Sequence, residues 1–269
     1  MQKDYFSNFL YSIKSLKNNP VLYIPDLVFF VFAFGFTLLF FHLNNLTSIF
    51  GGQLEIFNNQ IRSIVSTGPL FIRLIVSFII LIVINLIVGL STIAMRFTII
   101  SYIIKNRKFK FFNVLKEHNK YILSVFLIKL FLFLMYFVPA FVFLGVGFLY
   151  KQLILIMVFF LLVLFVMFKF TFLFVYPVLF LKGIKNPVKV VRETLVYFRD
   201  NKLHCIIVGL FVGIMSFIIS LVLNIIPVIW SSLNIFGQSL SILFIYLIIK
   251  GLIEITINLW ANLFIFKNY

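Results

Sequence analysis

Apolar residues along this chain come in long runs instead of alternating with polar ones, and short basic segments separate the runs. A membrane-crossing helix needs roughly 20 predominantly apolar residues to traverse about 30 Å of hydrocarbon. Six runs qualify: Val21–Leu43, Leu70–Ile104, Tyr121–Tyr150, Gln152–Leu181, Leu203–Trp230 and Gly237–Phe266. The second, 35 residues long, extends about 52 Å at 1.5 Å per residue and must tilt or project beyond the bilayer. The pattern predicts an all-α fold, a polytopic bundle of six transmembrane helices over residues 1–269 with no soluble domain. The first run begins twenty residues in, exceeds a signal-peptide core in length and lacks an A-x-A-like cleavage site, so it reads as a retained helix.

Composition agrees. The 269 residues are 63% hydrophobic, 19% aromatic and only 11% charged, with a mean hydropathy of +1.18, whereas a soluble domain is about a quarter charged. The single Cys205 excludes an intrachain disulfide and a cysteine-based metal cluster. The abundance of Phe, Lys, Ile and Asn fits an AT-rich genome and carries no functional weight.

A net charge of +16 ordinarily suggests nucleic acid, but here the charges sort by topology. Sixteen cations fall before the first span, between spans two and three, between spans four and five, and at the C-terminus. The opposite side holds only Arg62, Arg73 and Lys151. The positive-inside rule then places both termini in the cytoplasm, with the chain in the cytoplasmic membrane and no nucleic-acid partner.

The segments before spans one, three and five resemble one another. Each carries bulky apolar residues among basic ones and then an Asn. In the first, Phe6, Phe9, Ile13 and Leu16 recur at helical spacing ahead of Asn18, Asn19 and Pro20. In the last, Asn186 and Pro187 supply an N-cap and first-turn proline, and Val188, Val191, Leu195 and Phe198 form one stripe ending at Asn201. The middle copy is Phe112 and Leu115, ending at Asn119. The expectation is three hairpins, each preceded by a cytoplasmic interfacial amphipathic helix with its apolar face down and its cations toward anionic headgroups. Lys185, Lys189, Arg192, Arg199 and Lys202 are the lipid-headgroup candidates. All three units run in the same sense, unlike the inverted repeats of many secondary transporters.

The stretch Tyr176–Gly183, followed by Val190–Asn201 and an apolar hairpin, resembles the membrane domain of glycerophosphodiester phosphodiesterases and related six-helix membrane proteins, best over residues 165–230. The resemblance implies a Pro ending the fourth helix, here Pro177, and a short helix with a terminal Asn leading into the fifth, here Asn201. The chain departs from it at Val190 and Thr194, where the family often has Ala and Ser. Nothing matches the soluble catalytic domain of those enzymes, so their activity is not implied.

Ionisable residues inside a span are costly and mark candidate sites. Arg96, Lys129 and Asp26 lie near enough to the predicted inner boundary to serve as interfacial anchors. Lys169, Lys250 and Glu254 lie a dozen or more residues from their loops. Lys250 and Glu254 share a helical face with Asn258, and Lys169 is the expected cross-helix partner of Glu254. This set reads as a buried structural pair or as a relay for protons or substrate. On span five, Gly209, Gly213, Ser216, Ser220 and Asn224 form a stripe beginning with GxxxG, the signature of close helix packing. A parallel stripe of Asn85, Gly89, Thr92 and Arg96 on span two puts spans two, five and six in the interior, with spans three and four toward lipid.

Catalytic signatures are absent. There is no H-E-x-x-H, no phosphate-binding Gly loop and no G-x-S-x-G, and the few acids show no pairing suited to acid–base work. No metal or cofactor is expected. Asn45-Leu46-Thr47 forms a sequon in the predicted outer connection. The leading expectation is a non-enzymatic multi-pass protein contacting anionic membrane lipids and a protein partner or a second copy of itself. The alternative is a transporter. One form is an ABC-exporter-like permease subunit that docks a separate ATPase on Lys105–Lys120, and the other is a proton-coupled carrier using Lys169, Lys250 and Glu254.

Overall fold

A computed structural model describes residues 4–46, 54–149, 154–232 and 240–269. The expected connection at Lys151, residues 233–236 of the next one and Thr47 of the sequon lie outside the described residues. Among the described residues every regular element is helical. In order they are α1 (Tyr5–Asn18), a short 3-10 turn (Pro20–Leu22), α2 (Tyr23–Leu43), α3 (Leu54–Ser66), α4 (Gly68–Ile104), α5 (Phe111–Leu149), α6 (Ile154–Thr171), α7 (Val175–Leu181), α8 (Pro187–Asp200), α9 (Lys202–Ser232) and α10 (Leu240–Asn268). Six stretches are long and apolar enough to cross a membrane: Pro20–Leu43, Gly68–Ile104, Phe111–Gly145, Leu155–Leu181, Lys202–Ile226 and Ile245–Asn268. Among the described residues there are thus six apolar helices, as suits a multi-pass membrane protein.

Two of the three expected amphipathic segments are separate helices, and local chemistry explains why. Asn19 ends α1 because the following Pro20 disfavours a helical conformation at the residue before it. Asn201 ends α8, where its side-chain amide donates to the Tyr197 carbonyl at 3.1 Å and competes with the backbone. The middle segment is not separate: Phe112, Leu115 and Asn119 lie in the first turns of the continuous α5, since no Pro or Gly interrupts residues 111–121. The stretch Lys105–Lys120 therefore holds no free-standing coupling helix.

Other departures have physical causes. The fourth span is broken: α6 stops at Thr171 and α7 restarts at Val175. Pro177, lacking an N–H for Leu173, occupies the first turn of α7, so it begins a helix where the resemblance implied an end. The long connection after α2 contains the amphipathic helix α3, whose Ile64 is buried.

The chain forms two compact units. The first comprises residues 1–19, 93–216 and 260–269 and contains most of the core. Its centre is aromatic. Phe97 stacks on Tyr176 at 4.4 Å and on Phe266 at 5.4 Å, and Tyr121 meets Phe180 at 4.7 Å. A second cluster joins Phe174, Cys205, Val208, Trp260 and Phe264. Each such ring pair contributes about 0.5–1.5 kcal/mol beyond its buried area.

The second unit comprises residues 20–92 and 217–259. Within it Phe29 sits against Gly89, and Phe30 against Gly251, where an added Cβ would come within 2.7 Å of the ring. Tyr246 donates to the Leu223 carbonyl, and Asn44 donates to Ser77 Oγ at 2.9 Å. Burial does not divide the spans into interior and lipid-facing helices as expected. It concentrates in the first unit: Phe97–Ile100 of α4, Val125 and Ile128 of α5, nearly all of α7, and Cys205 and Val208 of α9. Ile79–Ile80 of the supposedly interior second span, in contrast, are exposed. In lipid there is no hydrophobic gain from joining apolar helices, so packing forms where aromatic shape and polar contacts reward it.

Candidate functional site

The most elaborated surface lies in the first unit, on and around α8. Asn186 starts this helix, its side chain accepting from the N–H groups of Val188 and Lys189 at 3.0 and 3.2 Å, with Pro187 in the first turn. Val190, Val191 and Thr194 are buried toward α5, α6 and α7. Ser124 of α5 donates to the Lys185 carbonyl at 2.6 Å, which ties down the approach to the helix. The buried stripe is therefore Val190–Val191–Thr194, and two residues of the expected stripe, Val188 and Leu195, face outward. They do so together with Val196, and Val188 is 73% exposed.

Among the headgroup candidates, Lys185, Lys189, Arg192, Arg199 and Lys202 are all exposed, but they are not equivalent. Arg199 pairs with Asp200 at 3.0 Å, and Lys182 pairs with Glu193 at 2.8 Å. The Lys182 contact, helped by Lys189 and Arg192, holds the Glu193 carboxyl below its ordinary range. The hydrogen bond to Glu193 in turn raises the Lys182 ammonium. Lys185, Lys189, Arg192 and Lys202 stand outside both pairs, beside exposed Val188, Leu195 and Val196. Behind them Tyr197, packed on Phe174 and Tyr269 at 5.1 and 4.7 Å, has its hydroxyl pushed up, chiefly by burial.

The same unit holds a polar network that no sequence motif announced. The Tyr5 hydroxyl and His204 Nδ1 are 2.8 Å apart, and His204 Nε2 lies 2.8 Å from the Asn268 carbonyl. That carbonyl only accepts, so Nε2 carries a proton and donates. Asn8 Nδ2 donates to Asn268 Oδ1 at 2.9 Å. These partners are separated by 64 to 260 residues, a distance over which periodicity carries no signal. The two sides of α1 differ in what they meet. Tyr5, Asn8, Phe9, Ser12 and Ser15 face protein, while Phe6, Leu10 and Ile13 are exposed.

In the second unit, Lys250 Nζ donates to Asn224 Oδ1 at 3.0 Å and lies 4.0 Å from Glu254 Oε1. Asn224 Nδ2 reaches Ser220 Oγ at 3.2 Å, so the polar end of the α9 stripe engages α10. Lys250 and Glu254 line a groove of about 560 Å³ with Phe30, Phe34 and Gly35 of α2. Lys169 belongs to the first unit, where its ammonium lies 5.2 Å from the Phe165 ring centroid. Asn258 is exposed. Of the two glycines opening the stripe, a Cβ at Gly209 would overlap the Phe170 ring, whereas Gly213 has open space. Among the described residues no three His, Cys, Asp or Glu side chains converge as a metal site.

Comparisons with protein-family models, with curated proteins and with solved structures find no match.

Proposed function

We propose that this chain is a non-enzymatic multi-pass protein of the cytoplasmic membrane, both termini inside, that gathers anionic lipid at its basic face and presents that face to a protein partner or a second copy. The observation that supports it is the outward side of α8 with its two flanks. Lys189 and Arg192 on α8, Lys185 just before it and Lys202 at the start of α9 stand outside the two local ion pairs, beside exposed Val188, Leu195 and Val196. Apolar side chains and cations mixed on one exposed surface suit the headgroup region, where the first enter the acyl boundary and the second meet phosphate. The relation to six-helix membrane domains of phosphodiesterases belongs to the same proposal, with lipid contact shared and catalysis absent. The test is lipid selectivity around the reconstituted protein, read with spin-labelled phosphatidylglycerol against phosphatidylcholine. Each cation near an anionic surface contributes about 1 kcal/mol, so changing all four to Gln should cut the preference at least ~10-fold. An unchanged preference refutes the reading.

A carrier is the second reading, supported by the Lys250–Asn224 hydrogen bond and the nearby Glu254 beside the α2–α10 groove. Vesicle uptake that survives Glu254→Gln unchanged removes it.

A further inference from the structure

A recess of about 680 Å³ in the first unit lies between the C-terminal half of α1 and the turn joining α4 to α5. Lys14 belongs to one wall and Arg107 and Lys108 to the other, with Tyr11, Ser15, Asn18, Asn19 and Asn106 as the uncharged polar lining. No carboxylate lines it. Glu117 is held elsewhere: it accepts from the Tyr102 hydroxyl, whose ring packs on Phe109 at 5.6 Å. The turn itself is pinned. Asn106 adopts the left-handed region at φ 51°, and its N–H and that of Arg107 close onto the Ile103 and Tyr102 carbonyls at 3.0 and 2.9 Å. A fourth cation, Lys267, lies 4.3 Å from the Tyr11 ring centroid.

Three cations lining one cavity repel one another. An anion relieves that repulsion. A guanidinium fork with two ammonium groups and side-chain amides is the donor set that phosphate oxygens require. Depth along the chain selects the source of the phosphate. Asn18 and Asn19 immediately precede the first span, and the turn immediately follows the second, which ends at Ile104. The recess therefore lies at the polar ends of two apolar stretches, on the headgroup side of the hydrocarbon where phospholipid phosphates lie, and Ile103 and Phe109 give it an apolar side.

We infer that this recess holds the phosphate of one anionic phospholipid in a defined, stoichiometric site, distinct from the diffuse attraction of α8. The inference rests on the lipid-interacting reading above, and the test separates the two.

Full-length protein is reconstituted in phosphatidylcholine nanodiscs with a minority of phosphatidylglycerol, extracted gently, and its retained lipid counted by native mass spectrometry. The expected result is one phosphatidylglycerol per chain, retained at least ~10-fold less by the K14Q/R107Q/K108Q variant. The charge-preserving K14R/R107K/K108R variant should keep it. The K185Q/K189Q/R192Q/K202Q variant should also keep this lipid while losing bulk preference.

Retention by the K14Q/R107Q/K108Q variant at the wild-type level overturns the site, as does its loss from the charge-preserving variant. Loss of the retained lipid in the α8 variant alone overturns the site and leaves the broader reading standing. No retained lipid in the wild type overturns the site, while the spin-label preference decides the broader reading separately. Binding of inorganic phosphate to protein in pure phosphatidylcholine discs, together with its displacing phosphatidylglycerol from protein in the mixed discs, overturns the lipid assignment.

Discussion

Asn8 donates a hydrogen bond from its side-chain amide to that of Asn268 at 2.9 Å, joining residues 260 positions apart. His204 adds a second tie, between the Tyr5 hydroxyl and the Asn268 carbonyl. Residues 5, 8, 204 and 268 are thereby held together within the first unit.

This network should matter for stability, because Asn268 is 3% exposed and His204 8%. Asn8→Ala should lower stability by about 1 kcal/mol, and His204→Leu, which strands a hydroxyl and a carbonyl, by about 1–3 kcal/mol. Thermal melting in mild detergent checks both; two variants indistinguishable from wild type would show that the network contributes nothing.

Topology gives a sharper outcome. In a Cys205→Ser background, single cysteines replacing Lys110 or Lys189 should react with an impermeant maleimide from one side of sealed vesicles. One replacing Gln60 should react from the other. Labelling of all three from a common side contradicts six crossings.

The glycines of α9 should separate under substitution. Gly209→Ala forces a methyl into the Phe170 ring, and overpacking of this kind costs about 1–3 kcal/mol. Gly213→Ala meets open space and should leave the melting temperature unchanged. Equal losses at both positions would mean that Gly213 is packed as well.

The Lys182–Glu193 pair sets a pH dependence of known sign. The depressed Glu193 carboxyl contributes stability that is fully present above the ordinary Glu value and lost as pH falls through the lowered one. Lys182, raised by the same contact, loses its contribution only as pH climbs through its elevated value. Both side chains are well exposed, so the effect is small. Melting curves across the acid range should show Glu193→Gln nearly superposed on wild type at neutral pH, the residual difference vanishing below the carboxyl range. A difference that grows with acidification would reverse the assignment.

What could be read along the chain was what local physics decides. The span count follows from run length against hydrocarbon thickness. The start of α8 follows from Asn186 and Pro187, and the ends of α1 and α8 from Asn19–Pro20 and Asn201. The intrahelical neighbours Lys250 and Glu254 were equally legible, since four residues return a helix to the same face. The ring that Lys169 lies over, Phe165, four residues before it, was not singled out along the chain, because the choice among neighbours depends on packing rather than on spacing.

The sequence by itself determined six apolar helices, the clustering of cations in particular connections and the capped start of α8, because each depends on residues within a few turns of one another. Only the tertiary structure decided that Ser12 and Ser15 turn inward while Phe6 and Ile13 turn out, that the fourth span breaks before Pro177, and that Asn224 takes Lys250. It also brought Lys14 to one recess with Arg107 and Lys108. In an apolar solvent an apolar face gains little by leaving lipid for protein, so the choice falls to hydrogen bonds and ring packing between residues far apart in the chain.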